Sequence, residues 1–265
     1  MLEGFQEDTF SYEGVRRTVY RRGEGPGVLI MHEVPGITPE VARFARRVAD
    51  DGFSVALPHL FGTPGRPLSP GYIARQFARA CISREFHVLA AHRSSPITEW
   101  LRALARQLHA ERGGPGVGAV GMCLTGNFAL ALMMEPALLA PVLSQPSLPL
   151  PLGATRRGAL HCSPEELAQA KRRAAEGAGV LGLRFTADPL CPGERFETLR
   201  REFGAHFEGI EIDSRRGNPN GIPRTAHSVL TTDLVDEAGH PTRVALDRVL
   251  GLFRERLRPW APPPS

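Results

Sequence analysis

The chain has 265 residues, of which 42% are hydrophobic, and its 32 basic and 28 acidic side chains give a formal net charge of +4. This length and composition are sufficient for a buried core. The basic excess is mostly arginine spread along the chain, so nucleic-acid binding is not predicted. No apolar run is long enough to span a membrane, and the acidic, polar N-terminus does not resemble a secretory signal.

The chain contains four cysteines, at positions 81, 123, 162 and 191. They form no CxxC pair, which predicts free thiols in a reducing, cytoplasmic location rather than a disulfide framework. We expect no metal and no cofactor. A metal site at His161-Cys162, or at His87 and His92, is disfavoured because neither pair has the spacing of a known ligand set.

The first predicted elements are a hairpin and a strand–helix–strand unit. Residues 9–21 alternate in polarity, which predicts two antiparallel strands around Glu13-Gly14. The apolar run 28–32 predicts a buried parallel strand. Thr38-Pro39 predicts a helix start, with Thr as the N-cap and Pro at the first helical position, and residues 53–57 predict the next strand.

The rest of the chain continues the alternation of helices and strands. Helices are predicted at 72–91, 96–110, 127–134, 163–175, 192–203 and 240–257. Strands are predicted at 117–122, 140–143, 180–186 and 207–212. The predicted apolar face of the last helix consists of Val244, Leu246, Val249, Leu250 and Phe253. This order predicts a doubly wound α/β fold with a mostly parallel sheet and an N-terminal antiparallel hairpin. We expect one domain over residues 1–258 and a flexible Pro-rich tail over 259–265.

Residues 117–134, VGAVGMCLTGNFALALMM, predict a strand, a sharp turn and a buried helix, with Cys123 at the turn. At a helix N-terminus, backbone N–H groups and the helix dipole favour a thiolate. The pattern resembles the nucleophile elbow of α/β-hydrolases, with Cys in place of Ser. The alternative for Cys123 is an ordinary buried core thiol.

Three polar residues, Glu33, Cys123 and Asp188, directly follow predicted strands. A fourth, His227, lies in the loop beyond the strand at 207–212. Active sites of open α/β sheets lie at these carboxyl ends. Alone, Asp188 before Pro189 is a common turn signal and His227 is one of nine histidines. Together, the order nucleophile, acid, histidine is that of the α/β-hydrolases.

The chemistry of these residue types predicts their roles. Cys123 would attack as a thiolate, and His227 would take its proton and return it to the leaving group. Asp188 would fix the imidazole tautomer. The backbone N–H groups of Leu124 and Val34 would bind the oxyanion.

The local motifs resemble those of the dienelactone hydrolase family over residues 28–255. They are His32-Glu33-Val34-Pro35-Gly36, the runs 52–58 and 120–126, Phe185-Thr186-Ala187-Asp188 and Ala226-His227-Ser228. The resemblance implies an α/β-hydrolase that opens enol-lactones with Cys123, His227 and Asp188. It also implies that Glu33 helps to activate the cysteine, and that Val34 supplies the second oxyanion donor.

This sequence departs from the family pattern at two positions. Thr125 replaces the second elbow glycine. Thr231 stands where typical members have an arginine that binds a substrate carboxylate. The candidates to replace it are Arg224, just before His227, or else Arg75, Arg79 or Arg84 in the helix after the Pro-rich loop. An ester or lactone is therefore a better prediction for the substrate than the dienelactone itself.

We therefore predict a hydrolase of small esters or lactones that forms an acyl-thioester. The alternatives are a thioesterase or aryl esterase with the same triad, or a weakly catalytic member that binds a ligand or uses a redox thiol. The oligomeric state stays open. Loops 59–71 and 144–162 are candidate lids.

Overall fold

The computed structural model describes residues 2–86 and 90–258, and within them eight strands form one sheet. The strands are β1 (Gln6–Tyr12), β2 (Val15–Arg22), β3 (Gly27–Met31), β4 (Ser54–Pro58), β5 (Val117–Met122), β6 (Leu138–Ser144), β7 (Val180–Phe185) and β8 (Phe207–Ile212). Their order across the sheet is β1-β2-β4-β3-β5-β6-β7-β8. The pairs β1–β2 and β2–β4 are antiparallel and the others are parallel. The predicted sheet is confirmed.

The N-terminal hairpin turns at the predicted dipeptide. Tyr12 of β1 pairs with Val15 of β2, which leaves Glu13 and Gly14 as the two turn residues. Both have positive φ, 47° and 79°. Two successive residues with positive φ match the twist of the flanking strands, which is why such turns are favoured in tight hairpins.

Helices cover both faces of this sheet. They are α1 (Pro39–Asp50), α2 (Pro70–Ile82), α3 (Ile97–Arg112), α4 (Phe128–Ala131), α5 (Ala154–Arg157), α6 (Pro164–Ala175), α7 (Gly193–Phe203) and α8 (Pro241–Leu257). One apolar core joins α1 and α8 to the sheet, and a second joins α3, α6 and α7 to the opposite face. None of the described helices is both long and apolar enough to cross a membrane.

Two helix starts follow the predicted capping chemistry. The hydroxyl of Thr38 accepts a hydrogen bond from the Val41 amide (3.3 Å) at the start of α1. At α6, the Ser163 hydroxyl accepts from the Glu166 amide (3.2 Å), and the Glu166 carboxylate accepts from the Ser163 amide (2.8 Å). This reciprocal capping box satisfies two N–H groups that have no acceptor within the helix.

Two predicted helices are shorter than expected. The helix predicted at 72–91 ends at Ile82, and residues 87–89 lie outside the described range. The Ser83 hydroxyl accepts from the Glu85 amide (3.3 Å), a local bond that competes with helical continuation. The helix predicted at 127–134 is divided into α4 and a 3-10 turn, Leu132–Met134.

Two further predictions need correction or lie outside the structure. Val244 is 52% exposed, although it was assigned to the apolar face of α8. At 3.6 residues per turn it points away from Leu246, Val249 and Phe253, which are buried. The predicted tail, 259–265, lies outside the described residues, and a single domain over 1–258 stays a prediction.

Candidate active site

The turn after β5 holds Cys123 in an unusual backbone conformation. Its φ is +54°, in the left-handed region that non-glycine residues rarely adopt, and its side chain is almost buried at 5% exposure. Such conformations cost about 1–3 kcal/mol and cluster at functional sites. The strain lifts the thiol out of line with the strand and places it at the start of a 3-10 turn, Cys123–Thr125.

The turn is tight because two glycines, which lack a Cβ, allow neighbouring backbone atoms to approach closely. A Cβ at Gly121 would lie 2.2 Å from the carbonyl oxygen of Thr125. A Cβ at Gly126 would lie 2.4 Å from the Cα of Pro146, which belongs to the segment after β6. Any side chain at either position would therefore displace the elbow from the neighbouring strand ends.

Thr125 ties the elbow to the neighbouring strand. Its hydroxyl accepts from the Met122 amide at 2.9 Å and lies 2.9 Å from the Met31 carbonyl, to which it donates. The Met31 carbonyl ends β3, so one side chain links the ends of β3 and β5. The departure from glycine at this position is therefore compatible with the turn, and it adds an interstrand bond.

Asp188 and His227 are joined by a short hydrogen bond. Nδ1 of His227 lies 2.7 Å from Oδ2 of Asp188, and Oδ1 of Asp188 accepts from the Leu190 amide at 2.9 Å. Asp188 follows β7 and is 3% exposed, whereas the side chain of His227 is 21% exposed. In this pair Nδ1 donates, which leaves Nε2 as the proton acceptor.

The surroundings of His227 favour its charged form. Burial of the ring lowers its pKa, but the nearby Cys123 side chain and the hydrogen bond to Asp188 raise it, and the net result is a pKa well above the ordinary value. Nε2 of His227 is buried and has no hydrogen-bond partner among residues 2–86 and 90–258. The Cys123 side chain interacts with the ring of His227 and contributes to this rise in pKa, so the thiol and the imidazole are placed to share a proton.

A second carboxylate holds the loop that carries His227. Oδ2 of Asp233 accepts from the backbone amides of His227 (2.9 Å) and Ser228 (2.8 Å). Two amides that share one carboxylate oxygen fix the backbone at the histidine. Asp233 was not predicted from the sequence, because an acidic residue six positions after a histidine carries no periodic or motif signal.

Glu33 is the centre of a network of neutral donors. Its carboxylate accepts from the Ser228 hydroxyl (2.6 Å), the Gln145 side-chain amide (3.1 Å) and the Thr231 hydroxyl. Ser228 and Thr231 belong to the loop of His227, and Gln145 follows β6. Glu33 therefore joins the ends of β3 and β6 to the histidine loop.

Burial dominates the ionisation of Glu33. Desolvation raises its pKa, while the bonds from Ser228 and Thr231, the nearby charge of His227 and the bond from Gln145 lower it, so the net shift is upward. Gln145 is itself fully buried and has a φ of +35°. Its backbone amide donates to the Leu183 carbonyl at 2.7 Å. A strained, buried glutamine is a feature that sequence patterns do not reveal.

The two predicted oxyanion donors lie beside Cys123 in the fold. Val34 directly follows Glu33 and lines the same cavity as Cys123. Its amide donates no hydrogen bond to the described part of the chain. The Leu124 amide belongs to the first turn after the strand, where N–H groups lack acceptors within the turn.

A cavity of about 270 Å³ opens above the sulfur. Its wall includes Cys123, His227, Ser228, Asp233 and Val34. A second cavity, of about 570 Å³, is also lined by His227, together with Asp188 and Arg224. The two cavities share Leu190, Thr225 and His227 in their walls, and each is large enough for part of a small molecule.

The arginine expectations have mixed outcomes. Arg224 lines the second cavity, and Arg75, Arg79 and Arg84 are exposed. Thr231, at the position where a substrate-binding arginine is typical, donates its hydroxyl to Glu33 instead.

Two further cysteines, and His161 of a metal site considered from the sequence, lie in the buried interior. Cys162 and Cys191 are buried free thiols, and burial raises the pKa of each to about 12. His161 is buried against the ring of Phe128, with 5.9 Å between ring centroids. His87 lies outside the described residues. Within the described ranges, no group of three or more His, Cys, Asp or Glu side chains is arranged to hold a metal ion.

The two candidate lids are anchored to the body of the protein. Arg195 is fully buried and donates to the carbonyls of Pro146 (2.6 Å), Pro149 (2.7 Å), Arg156 (3.1 Å) and Ala159 (3.1 Å). One side chain therefore fixes the segment after β6.

Loop 59–71 is anchored at its start. The Leu60 amide donates to Nε2 of His32 at 3.1 Å, and burial lowers the pKa of His32 to about 3, which keeps that nitrogen an acceptor.

The strand order, the elbow at Cys123 and the histidine beyond the last strand define an α/β-hydrolase-type protein. The chain belongs to the dienelactone hydrolase family, a family of esterase-type hydrolases, whose model matches residues 16–214. This range includes Glu33, Cys123 and Asp188 and ends before His227. Family membership implies a small-molecule substrate.

Solved structures share this fold at low sequence identity. A dienelactone hydrolase-like promiscuous phosphotriesterase from metagenomic libraries has a TM-score of 0.61 at 18% identity, covering 96% of this chain and 98% of its own. Dienelactone hydrolase from Anabaena variabilis has a TM-score of 0.59 at 16% identity, covering 97% and 100%. An esterase from Pyrococcus furiosus has a TM-score of 0.61 at 12% identity, covering 95% and 92%. No curated protein matches the chain.

Proposed function

We propose that this protein hydrolyses small carboxylic esters or lactones through an acyl-thioester on Cys123. His227 acts as the general base and acid, and Asp188 orients it. The observation that carries the proposal is the 2.7 Å bond between Asp188 and Nδ1 of His227, with the imidazole and the Cys123 thiol on the wall of one cavity. Ring opening of the dienelactone type (carboxymethylenebutenolidase) is one reaction of this class.

The first half of the reaction forms the thioester. The sulfur of Cys123 attacks the carbonyl carbon as its proton passes to Nε2 of His227. The amides of Val34 and Leu124 donate to the oxyanion of the tetrahedral intermediate. The intermediate collapses, the C–O bond breaks, and the alkoxide takes the proton from His227. In a lactone the alcohol stays attached to the acyl group.

The second half regenerates the thiol. His227 removes a proton from water, and the hydroxide attacks the thioester carbonyl. Collapse of this second intermediate breaks the C–S bond, and the sulfur regains a proton from His227 as the acid leaves. Asp188 holds the tautomer through both halves and stabilises the imidazolium each time it forms, in keeping with the raised pKa of His227.

Glu33 supports the site by position. Its carboxylate is engaged by the Ser228 hydroxyl, the Thr231 hydroxyl and the Gln145 amide, and so it fixes the loop on which His227 sits. This role differs from direct activation of Cys123, which the family resemblance implied. The free thiols are consistent with the reducing, cytoplasmic location that we propose.

The test is hydrolysis of p-nitrophenyl acetate by the wild-type protein, Cys123→Ala and the matched control Cys162→Ala. We expect Cys123→Ala to lose at least about 1000-fold in kcat/KM and Cys162→Ala to retain activity. Mass spectrometry of quenched wild-type protein should find an acyl adduct on the peptide that contains Cys123. Turnover that survives Cys123→Ala, or an adduct on another residue, would overturn the assignment.

A further inference from the structure

Apolar side chains converge on the cavity above Cys123 without being buried themselves. Five of them, from four segments of the chain, are Val34, Leu68, Ile73, Phe77 and Leu190. Ile73 is 39% exposed, and the other four are partly buried. Exposed apolar surface is unfavourable in water in proportion to its area. A cluster of it around a nucleophile therefore marks a place for an apolar ligand group.

Helix α2 forms one wall of the cavity, and the adjacent face of the same helix is anchored to the protein. Ile73 and Phe77 are four residues apart, so they share one face of α2. Tyr72 and Gln76, on the adjacent face, are buried, and the hydroxyl of Tyr72 accepts from the Thr63 amide at 2.6 Å. The positions of Ile73 and Phe77 are therefore fixed by the fold and not by a loose loop.

The charges in this cavity do not suit an anionic group. Among the described residues that line it, Asp233 carries a negative charge and His227 is the one basic group. Within the proposed reaction, His227 is engaged with the thiol. No Arg or Lys of the described chain lines this space, and Arg224 lies in the adjoining cavity. A carboxylate placed here would lose its hydration, and the one basic group beside it, His227, is paired with the thiolate in the proposed reaction.

We infer that the 270 Å³ cavity is an acyl pocket for a neutral, apolar acyl group, and that Ile73 and Phe77 set the acyl length it accepts. This inference rests on the proposed function and names its substrate class. The volume is slightly below the range of typical ligand pockets, which span roughly 300–1,000 Å³. The pocket therefore fits a short acyl chain or small ring.

Methylene groups that enter such a pocket raise kcat/KM by a predictable factor. Each buried methylene gains about 0.8 kcal/mol, which corresponds to about fourfold in rate. The butyrate has two more methylenes than the acetate, so we expect kcat/KM, divided by the hydroxide-catalysed rate, to rise roughly fifteenfold from p-nitrophenyl acetate to the butyrate. The matched anionic pair is p-nitrophenyl pentanoate and p-nitrophenyl hemiglutarate, and we expect the pentanoate to be at least about tenfold better.

Substitution of Phe77 tests whether the acyl chain of the substrate lies against this side chain. Phe77→Trp should fill the pocket and lower the ratio of kcat/KM for the butyrate to that for the acetate by at least about tenfold. Arg79→Ala changes an exposed residue on the same helix and is the matched control. It should leave the ratio of kcat/KM for the butyrate to that for the acetate unchanged. A flat chain-length profile, a preference for hemiglutarate, or an acetate-to-butyrate ratio unaffected by Phe77→Trp would overturn the inference.

A second measurement separates the pocket from the reaction. Alkyl methanethiosulfonates transfer their thioalkyl group to a thiolate and release the sulfinate, with no hydrolysis involved. Labelling of Cys123 by the neutral butyl reagent should be at least about tenfold faster than by the anionic sulfonatoethyl reagent, each relative to glutathione. Equal rates, or a faster anionic reagent, would refute the apolar pocket even if Cys123-dependent hydrolysis is intact. The expected preference without turnover would refute the proposed reaction alone.

Discussion

Two carboxylates at the strand ends are equally buried but have different partners. Asp188 and Glu33 are each 3% exposed. Asp188 bonds to a titratable imidazole, whereas Glu33 bonds to two hydroxyls and a carboxamide. Burial alone therefore does not define a residue's role. In the proposed reaction, the partner of Asp188 makes it part of the chemistry, whereas the partners of Glu33 make it part of the scaffold.

The two carboxylates nevertheless serve the same loop. Asp188 holds the ring of His227, while Glu33 holds the hydroxyls of Ser228 and Thr231 on either side of Val229 and Leu230. Loss of the first should change activity far more than stability. Loss of the Glu33 carboxylate should mainly lower stability. It should lower activity indirectly, because His227 would be misplaced.

The largest expected effect is that of Asp188→Asn. The change keeps the shape but removes the charge that fixes the tautomer of His227, and we expect kcat/KM to fall about 10³–10⁴-fold. The pKa of His227 should also fall, because the bond to Asp188 raises it. Ester hydrolysis and histidine titration by NMR measure the two effects.

The matched control for this change is Asp236→Asn, which alters an exposed ion pair with Arg47 and Arg243. It should leave kcat/KM within about twofold, since surface pairs contribute about 0–1 kcal/mol. If Asp188→Asn stayed within tenfold of wild type, the pair Asp188–His227 would have no part in the reaction.

Glu33→Ala should have the second largest effect, now on stability. It leaves the Ser228 and Thr231 hydroxyls and the Gln145 amide without their acceptor in a buried space, and we expect about 2–4 kcal/mol lower free energy of unfolding. Glu33→Gln should lose less, because an acceptor oxygen remains. Urea denaturation measures both, with the exposed Glu237→Ala as control. A loss under about 1 kcal/mol for Glu33→Ala would contradict the scaffold role.

Much of the fold was accessible from sequence because local chemistry determined it. The apolar run of β3, the caps at Thr38 and Ser163, and the glycines around Cys123 each act within a few residues of themselves. Strand order then follows from alternating helices and parallel strands. The order of nucleophile, acid and histidine is also a property of the chain, so the candidate residues were found together.

The supporting contacts were not accessible, because they join distant parts of the chain. Gln145 contacts Glu33 across 112 residues, and Arg195 reaches the carbonyl of Pro146 across 49. No periodicity marks such partners. Position by position, the residues carry little signal, and only the folded strand ends bring them into contact.

Thr125→Val should have a smaller effect on stability, confined to the elbow. The isosteric change removes the hydroxyl that accepts from the Met122 amide and donates to the Met31 carbonyl. We expect a loss of about 1–2 kcal/mol in the free energy of unfolding. Thr125→Ser keeps the hydroxyl and should stay within about 1 kcal/mol of wild type. Equal losses in the two variants would assign the role of Thr125 to its methyl group.

The smallest expected effect is a pH dependence of stability that Glu33 contributes and Glu33→Gln abolishes. Burial raises the pKa of Glu33 in the folded state, so between its ordinary value of 4.5 and that raised value the folded protein keeps a proton that the unfolded chain releases. Stability should therefore fall as pH rises through this window and level off above it. Denaturation of wild type and Glu33→Gln across this range measures the difference, and parallel curves would show that the hydrogen bonds to Glu33 offset its burial completely.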